Sequence, residues 1–298
     1  MNRRSFIQTS VFTFAALTIA QQKIFAALKI DPWKVTMLTD STGIFTEKGG
    51  TILFHLSKKG IVVIDTQFAD AAAHLIAELN KKSQKPFKLL VNTHHHGDHT
   101  SGNIAFKDLL DTIVAHENSK INQQTVAIKN KSEDKQLYPN TTYSKKWSKK
   151  IGKEKIHLYY FGAGHTNGDS IVHLQHENIV HMGDLVFNRR HPYIDKTAGA
   201  NIKNWIIILE KTQVLFNDNT KFVCGHAGNG YDVVVTKADI KAFANYLQKV
   251  LEFTQAEIAA GKTKEEILKA TTIPGAEEWK GEGIERSLTA AFIELTTK

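Results

Sequence analysis

Four side chains that could bind metal ions lie within six residues, in the pattern His94-x-His96-x-Asp98-His99. In an extended segment, residues i and i+2 point to the same side, so His94 and His96 can bind one ion together. The glycine that follows His96 can form a turn that directs Asp98 and His99 towards a neighbouring position. Imidazole and carboxylate ligands without a thiolate suit zinc, and also iron or manganese. This segment therefore predicts a metal site.

Three more potential ligands follow later in the chain, each beside a glycine and after a short apolar run. They are His165, Asp184 and His226. Residues just beyond a strand lie on loops, which is where binding residues concentrate. Any one of the three alone would more commonly be a cap or a satisfied polar residue. Their occurrence together with the His94–His99 segment is what indicates a metal centre.

The elements that must position these residues alternate between strands and helices. The predicted strands are Val35–Thr39, Thr51–Ser57, Ile61–Asp65, Leu89–Asn92, Thr112–Ala115, Ile156–Tyr160, Ile171–Leu174, Ile179–Met182 and Lys221–Cys224. The predicted helices are Ala69–Lys82, Ile104–Leu110, Glu117–Ala127, Lys203–Thr212, Lys237 to about Ala260, Lys264–Ala270 and Ile284–Leu295. Glycines, among them Gly43, are predicted to mark turns. Residues 128–155 are rich in lysine and are predicted to be irregular. The alternation favours α/β or α+β layers.

Composition excludes several classes of protein. The 298 residues are 42% hydrophobic and 23% charged, which excludes a disordered chain, a collagen-like chain and a multi-span membrane protein. The single cysteine, Cys224, excludes an intramolecular disulfide and a classical zinc finger. The net charge is +8, but no nucleic-acid-binding motif accompanies the lysines, so we expect no nucleic-acid partner.

Residues 1–27 are typical of an export signal. A basic start is followed by an apolar run from Val11 to Ala20 and an alanine-rich end. The run is too short to cross a bilayer as a helix, so we expect no stable membrane anchoring once the signal is removed. The pair Arg3-Arg4 resembles the twin-arginine signal and predicts the twin-arginine export machinery as a partner and a periplasmic or otherwise exported destination. The alternative is an amphipathic first helix. Residues 28–298 are predicted to form one domain with a helical C-terminal part, 236–298.

Taken together, the seven potential ligands resemble those of the metallo-β-lactamase-fold hydrolase superfamily, over roughly residues 33–235. The resemblance implies an αββα sandwich, in which two facing mixed β-sheets carry helices on their outer faces and two metals, expected to be Zn²⁺, lie at one edge. By the same resemblance, His94, His96 and His165 would bind the first metal, Asp98, His99 and His226 the second, and Asp184 both. Asp65 matches an aspartate that orients a ligand histidine in this family, although a strand-ending turn residue is nearly as good an interpretation.

A metal pair of this kind lowers the pKa of a shared water, and the hydroxide attacks a carbonyl or phosphoryl centre. Asp98 could orient that hydroxide, which makes it the predicted catalytic residue. An aspartate at position 184 resembles glyoxalase II, lactonases and phosphodiesterases, since β-lactamases of this fold usually have cysteine or serine there. Thr93 to His96 is also similar to glyoxalase II. We therefore expect an exported dinuclear zinc hydrolase of an ester, thioester, lactone or amide, with weak β-lactamase activity conceivable.

Two other functions are consistent with the same residues. One is an iron-dependent oxidative enzyme that resembles persulfide dioxygenases, and the other is a non-catalytic metal-binding accessory protein. A small-molecule substrate could be bound through an anionic group by Asn188, Arg189 and Arg190, or these residues could form a basic surface turn. Residues 128–155 could cover the site as a lid or form a solvated insertion. His95 is expected to point away from the metals.

Overall fold

The computed structural model describes residues 32–297, and its first sheet contains seven strands in sequential order. The strands are β1 (Lys34–Met37), β2 (Thr42–Thr46), β3 (Ile52–Ser57), β4 (Gly60–Ile64), β5 (Phe87–Val91), β6 (Ile113–His116) and β7 (Thr141–Tyr143). Strands β2 to β4 are antiparallel and β4 to β7 are parallel. The parallel strands β4 and β5 are almost continuously apolar, as expected for strands that are buried on both faces.

The second sheet contains six strands in the order β15-β13-β11-β10-β9-β8. They are β8 (Lys146–Ile151), β9 (Glu154–Tyr159), β10 (Ile171–Leu174), β11 (Ile179–His181), β13 (Lys221–Val223) and β15 (Val234–Val235). Only the β11–β13 pair is parallel within the described residues of this sheet. Strands β12 (Phe187–Asn188) and β14 (His226–Ala227) form a separate parallel pair. Both large sheets are therefore mixed.

Seven α-helices follow or connect these strands in the described part of the chain. They are α1 (Ala69–Lys82), α2 (Gly97–Thr100), α3 (Glu117–Asn130), α4 (Ile202–Leu215), α5 (Lys237–Ala259), α6 (Lys264–Ile267) and α7 (Ile284–Thr296). Thr236 is the N-cap of α5 and Thr263 is the N-cap of α6, each with a complete capping box. This motif satisfies backbone N–H groups that would otherwise lack a partner at the start of the helix. None of the described helices is long and apolar enough to cross a membrane.

Two apolar clusters hold the layers together. The first lies between the sheets and joins residues such as Leu53 and Val62 of the first sheet to Ile156 and Val172 of the second. The second cluster packs the outer face of the second sheet against α4, α5 and α7; its members include Val180, Phe222, Trp205, Phe243 and Leu288. Burying each such large side chain contributes about 1.5–3 kcal/mol. On the first sheet, α1 buries Leu75 and Leu79, and α3 contacts β6 and β7. The αββα arrangement expected from the resemblance is confirmed.

The prediction that residues 128–155 are irregular is wrong. This segment contains β7 and β8, which are edge strands of the two sheets. In β8 the exposed residues Lys146, Ser148 and Lys150 alternate with the more buried Trp147, Lys149 and Ile151. The many lysines obscured this two-residue period, although charged residues are typical of edge strands, where they discourage pairing with other chains. The segment does not line the cleft described below, so the lid interpretation is also not supported.

Gly43 lies inside β2 and not in the predicted turn. A Cβ atom at this position would lie 2.6 Å from Cζ of Phe54 on the neighbouring strand. The glycine therefore gives the Phe54 ring room against β2, a use of glycine that is common in strands. The predicted export signal, residues 1–27, lies outside the described residues.

Candidate metal centre

Seven His and Asp side chains converge at one edge of the sandwich. Their positions follow from the ends of buried strands, which fix the backbone on which each ligand is carried. His94, His96, Asp98 and His99 follow β5, His165 precedes β10, Asp184 follows β11, and His226 begins β14. All seven residues singled out in the sequence as ligands are thus brought together.

The first group consists of three histidines whose nitrogens surround one point. His96 Nδ1 lies 3.1 Å from His94 Nε2 and 2.9 Å from His165 Nε2. Asp184 Oδ2 lies 3.5 Å from His165 Nε2 and 3.9 Å from His94 Nε2. The four ligand atoms lie within 4.8 Å of one another, so they could hold one ion.

The second group contains Asp98, His99 and His226. Asp98 Oδ2 lies 3.1 Å from His226 Nε2 and 3.8 Å from His99 Nε2. Asp184 Oδ1 lies 3.0 Å from His99 Nε2, and its Oδ2 lies 3.4 Å from His226 Nε2. The Asp184 carboxylate therefore lies between the two groups and could contact an ion in each.

Two ligand atoms in this arrangement face each other without another partner. Within the described residues, His99 Nε2 and Asp184 Oδ1 are buried and lie 3.0 Å apart, yet neither makes a hydrogen bond of good geometry. Leaving a buried polar atom without a partner costs about 1–3 kcal/mol, and such atoms are rare in folded proteins. A cation bound between these atoms would satisfy both, so the residues present fit a metal ion.

Burial keeps two of the ligand histidines neutral. It lowers the pKa of His94 well below its usual value, and it lowers the pKa of His165 to about 3. A neutral imidazole has a free lone pair, which is the form that binds a metal. At neutral pH these two side chains are therefore ready to act as ligands.

The second group is more strongly charged. Although burial opposes it, Asp184 and Asp65 raise the pKa of His99 well above its usual value. Asp184 likewise raises the pKa of His226 to about 9 against the effect of burial. Burial favours the neutral form of Asp184, but His226 and His99 hold its pKa well below the usual range. A metal ion in this group would replace the protons on the two histidines and preserve the charge balance.

Hydrogen bonds from a surrounding layer orient the ligand rings. His99 Nδ1 lies 2.7 Å from Asp65 Oδ2, and the same carboxylate accepts hydrogen bonds from the backbone and hydroxyl of Thr93. His96 Nε2 lies 3.0 Å from Asp195 Oδ2. Such contacts fix which ring nitrogen faces the metal. Asp65 was singled out in the sequence, whereas Asp195 was missed because it lies 99 residues from His96 and carries no motif.

Two glycines make room for the ligands. A Cβ atom at position 50 would lie 2.1 Å from the His99 ring, and one at position 225 would lie 1.9 Å from Asp184 Oδ1. No larger residue fits at either place without displacing a ligand. Gly225 thus has a role in the site as well as in the turn before His226.

His95 and Cys224 are neighbours of the cluster but not members of the two groups. His95 Nε2 lies 3.6 Å from Asp195 Oδ2, on the carboxylate that also contacts His96. Cys224 is fully buried, and burial raises the pKa of its thiol well above the usual value. A protonated, buried thiol packs as a small apolar side chain and not as a metal ligand.

An open cleft of about 480 Å³ lies over the cluster. Its lining residues are His96, Gly97, Asp98, Asp184, Phe187, Arg190, His191, Tyr193, His226, Glu282, Gly283 and Arg286. The last three belong to the C-terminal part, which contributes one wall of the cleft. The sequence had indicated only that this part is helical.

Of the three residues predicted to contact substrate, only Arg190 lines the cleft. Arg189 is engaged elsewhere, because its guanidinium lies 2.7 Å from Asp239 and 3.0 Å from Glu278. The Asn188 side chain donates a hydrogen bond to the backbone oxygen of Asp232 and accepts one from Arg189. The structure therefore does not place Asn188 or Arg189 at the cleft, and local tertiary contacts occupy their polar atoms.

A family model, curated relatives and solved structures all resemble this chain in sequence or fold. A family model described as "Metallo-beta-lactamase superfamily" matches residues 49–226. "Metallo-beta-lactamase type 2" of Elizabethkingia meningoseptica is 22% identical over 205 residues, which are 68% of this chain and 79% of that protein. A metallo-beta-lactamase from Pontibacter korlensis superposes with a TM-score of 0.62 at 23% identity and covers 72% of this chain and 99% of that one. A double mutant of the sec-alkyl sulfatase PisA1 gives a TM-score of 0.68 at 13% identity, over 88% of this chain and 50% of that one. These two structures share the fold.

Proposed function

The chain belongs to the metallo-beta-lactamase superfamily, and we propose that it is an exported, dinuclear zinc hydrolase that cleaves an ester, thioester, lactone or amide. The observation that carries this proposal is the position of Asp184 between two groups of three ligand side chains. One carboxylate that contacts both groups supports a pair of ions and not a single one. The members of this superfamily are generally metal-dependent hydrolases, which supports a hydrolytic reaction.

His94, His96 and His165 would hold one ion, Asp98, His99 and His226 the other, and Asp184 both. When bound, such a pair supplies a water of lowered pKa and positive charge beside the developing oxyanion. The chain itself orients the reactants. Asp98 has 30% of its side chain exposed, more than the His226 or Asp184 side chains beside it. Its carboxylate can therefore accept a hydrogen bond from an attacking water while the substrate occupies the cleft.

The bond that is cleaved is proposed from the ligand at position 184. The curated relatives include proteins named as metallo-beta-lactamases, so β-lactams belong among the substrates to be tested. An aspartate as the shared ligand, however, favours esters, thioesters and lactones, as the resemblance to glyoxalase II and lactonases indicates. Hydrolysis of such bonds requires no further cofactor and no side-chain nucleophile beyond the site described.

Elemental analysis of the protein purified without added metal and without a His tag tests the proposal. We expect about two zinc ions per chain, with turnover in a screen of ester, thioester, lactone and β-lactam substrates. Iron in place of zinc would contradict the hydrolase proposal and favour oxidative chemistry, because zinc has no redox activity. Two bound zinc ions without turnover on any substrate in the screen would favour a metal-binding accessory protein.

A further inference from the structure

The cleft over the metal centre carries two arginines that no carboxylate neutralises. Arg190 follows β12, Arg286 lies in the first turn of α7, and both line the same cleft as Asp98 and His226. Within residues 32–297, neither guanidinium makes a hydrogen bond or an ion pair. An arginine free of protein partners beside a reactive site is available for a ligand, because its planar fork of N–H groups matches a carboxylate or another oxyanion.

The adjacent Arg189, which does not line the cleft, differs from Arg190 in that its guanidinium has protein partners. Its guanidinium is paired with Asp239 and Glu278 and lies 5.3 Å from the centroid of the Trp279 ring. Two consecutive arginines therefore have different surroundings. Arg189 fastens the C-terminal segment to the body of the protein, whereas Arg190 has no protein partner of this kind and faces the cleft.

The backbone that carries Arg286 is held beside the cleft by hydrogen bonds of its neighbour Ser287. The first turn of α7 contains Ser287, which accepts a hydrogen bond of 3.0 Å from Tyr246 on α5. The same Tyr246 hydroxyl is hydrogen-bonded to His191 Nδ1 at 2.8 Å, in the loop that follows Arg190. This buried chain of hydrogen bonds joins the backbone segments that carry the two arginines, so both are presented to one space.

The start of α7 adds to the positive potential. Gly283 lines the cleft and begins the helix without a side-chain cap, so the first backbone N–H groups of the helix are not satisfied by a capping side chain. A helix N-terminus attracts anions through these groups. Among the described residues of this wall, Glu282 is the carboxylate that lines the cleft, and the two arginines outweigh it. Glu285, also in the first turn of α7, is exposed and does not line the cleft.

We propose that Arg190 and Arg286 form a subsite for an anionic oxygen group on the substrate, most simply a carboxylate. This inference rests on the proposed hydrolytic function and narrows its substrate class. The substrate is a small molecule that fits a cleft of about 480 Å³ and carries both a hydrolysable acyl bond and a negative charge. The metal side of the cleft would receive the acyl group, and the arginine side would receive the anion.

Two esters that differ only in charge test this subsite. They are p-nitrophenyl hexanoate and the mono-p-nitrophenyl ester of adipic acid, in which a carboxylate replaces the terminal methyl group. We expect wild-type kcat/KM to favour the charged ester. In Arg190→Gln and Arg286→Gln, the kcat/KM of the charged ester should fall about 10-fold each, because hydrogen bonds to charged groups are worth that much. The value for the neutral ester should change less than about twofold.

The exposed residue Lys211, which does not line the cleft, provides the control. Lys211→Gln removes one positive charge and should leave the preference for the charged ester unchanged. Equal losses on both esters in the arginine variants, or an unchanged preference, would overturn the subsite. Circular dichroism of each variant separates these results from misfolding.

A binding measurement separates failure of the subsite from failure of the hydrolase proposal. By calorimetry, the non-hydrolysable ketone 6-oxo-7-phenylheptanoic acid should bind the wild type at least about 10-fold more tightly than the Arg190→Gln/Arg286→Gln double variant. The ketone 1-phenylheptan-2-one, in which a methyl group replaces the carboxylate, should not distinguish the two proteins. If this difference is found but no acyl substrate is turned over, the hydrolase proposal fails and the anion subsite stands. If the charged ketone binds both proteins alike, the subsite is wrong whatever the turnover.

Discussion

Among the seven side chains of the metal centre, Asp98 combines membership of the second group with access to the cleft. Its Oδ2 lies 3.1 Å from His226 Nε2, yet 30% of the side chain remains exposed. A ligand that also faces the substrate can influence the reaction directly. The more deeply buried ligands act only by holding the ions.

Replacement of Asp98 by alanine should therefore abolish most of the activity and leave the fold intact. We expect kcat/KM to fall by about 100-fold or more, since even the loss of a residue that merely orients a ligand costs 10–100-fold. Steady-state kinetics and circular dichroism measure the two effects. Asp134→Ala, which changes an exposed aspartate outside the cleft, is the control. Near-normal activity of Asp98→Ala would contradict the proposed role.

Asp65 would not bind an ion itself but contacts the ligand His99. It is fully buried, holds the His99 ring through Nδ1 and has φ of 63°, a left-handed conformation that asparagine also tolerates. Asp65→Asn therefore keeps the size and the backbone geometry but removes the charge.

In Asp65→Asn we expect zinc affinity to fall about 10–100-fold, because the imidazole of His99 loses its anionic partner. Competition with a chromophoric chelator measures this affinity without relying on turnover. The loss should be confined to one of two ions, since His94, His96 and His165 make no contact with Asp65 among the contacts described. Unchanged affinity for both ions would show that Asp65 only ends a strand.

At the scale of elements, the segment from Trp279 to α7 is fastened onto the sandwich and contributes a wall of the cleft. Arg189 is one of its polar anchors, through Asp239 at the start of α5, Glu278 and the Trp279 ring. The Arg189 side chain is only 15% exposed, so its pair with Asp239 is better shielded from solvent than an ordinary surface pair. The pair with the exposed Glu278 adds less.

Arg189→Gln should accordingly lower the free energy of unfolding by about 1–2 kcal/mol through the lost charged hydrogen bond and cation–π contact. This corresponds to a decrease in Tm of about 2–8 °C, as measured by calorimetry. We also expect KM to rise, because the wall that carries Arg286 is less firmly held. Lys237→Gln, which breaks an exposed pair with Asp218, should leave Tm nearly unchanged. Equal effects of the two substitutions would argue against the anchoring role.

At the scale of the whole molecule, the proposed twin-arginine export is compatible with the proposed metal centre. Twin-arginine export carries folded proteins, and a protein that acquires its metal in the cytoplasm has reason to use this route. The lone cysteine also fits a chain that gains nothing from disulfide formation in an oxidising compartment.

Export should therefore depend on Arg3 and Arg4. In a bacterium with a functional twin-arginine system, the Arg3→Lys/Arg4→Lys double variant should remain in the cytoplasm at its full length, because lysines keep the charge but not the guanidinium pair. Cell fractionation and mass measurement of the mature N-terminus check this outcome. Lys23→Arg, near the end of the same segment, should be exported normally. Export of the double variant at the wild-type level would contradict the twin-arginine proposal.

The sequence alone determined the ligand types and the order in which strands deliver them. Four of the seven ligands lie within six residues, so local geometry almost suffices to bring them together. The strands β4, β5 and β10 were also predictable, because buried strands are short apolar runs between turns. Edge strands were harder to predict from the sequence. The edge strand β8 is rich in lysine, which discourages pairing with other chains but also obscures the apolar pattern of a strand.

Only the tertiary structure decided which partners are contacted by residues outside the ligand motifs. Nothing local distinguishes Arg189 from Arg190, yet one is paired with Asp239 and the other lines the cleft. Asp195 and Arg286 likewise reach the site through contacts that span about a hundred residues or more of chain. Such contacts depend on how whole layers pack, and packing is a property of the assembled sandwich that no short stretch of sequence encodes.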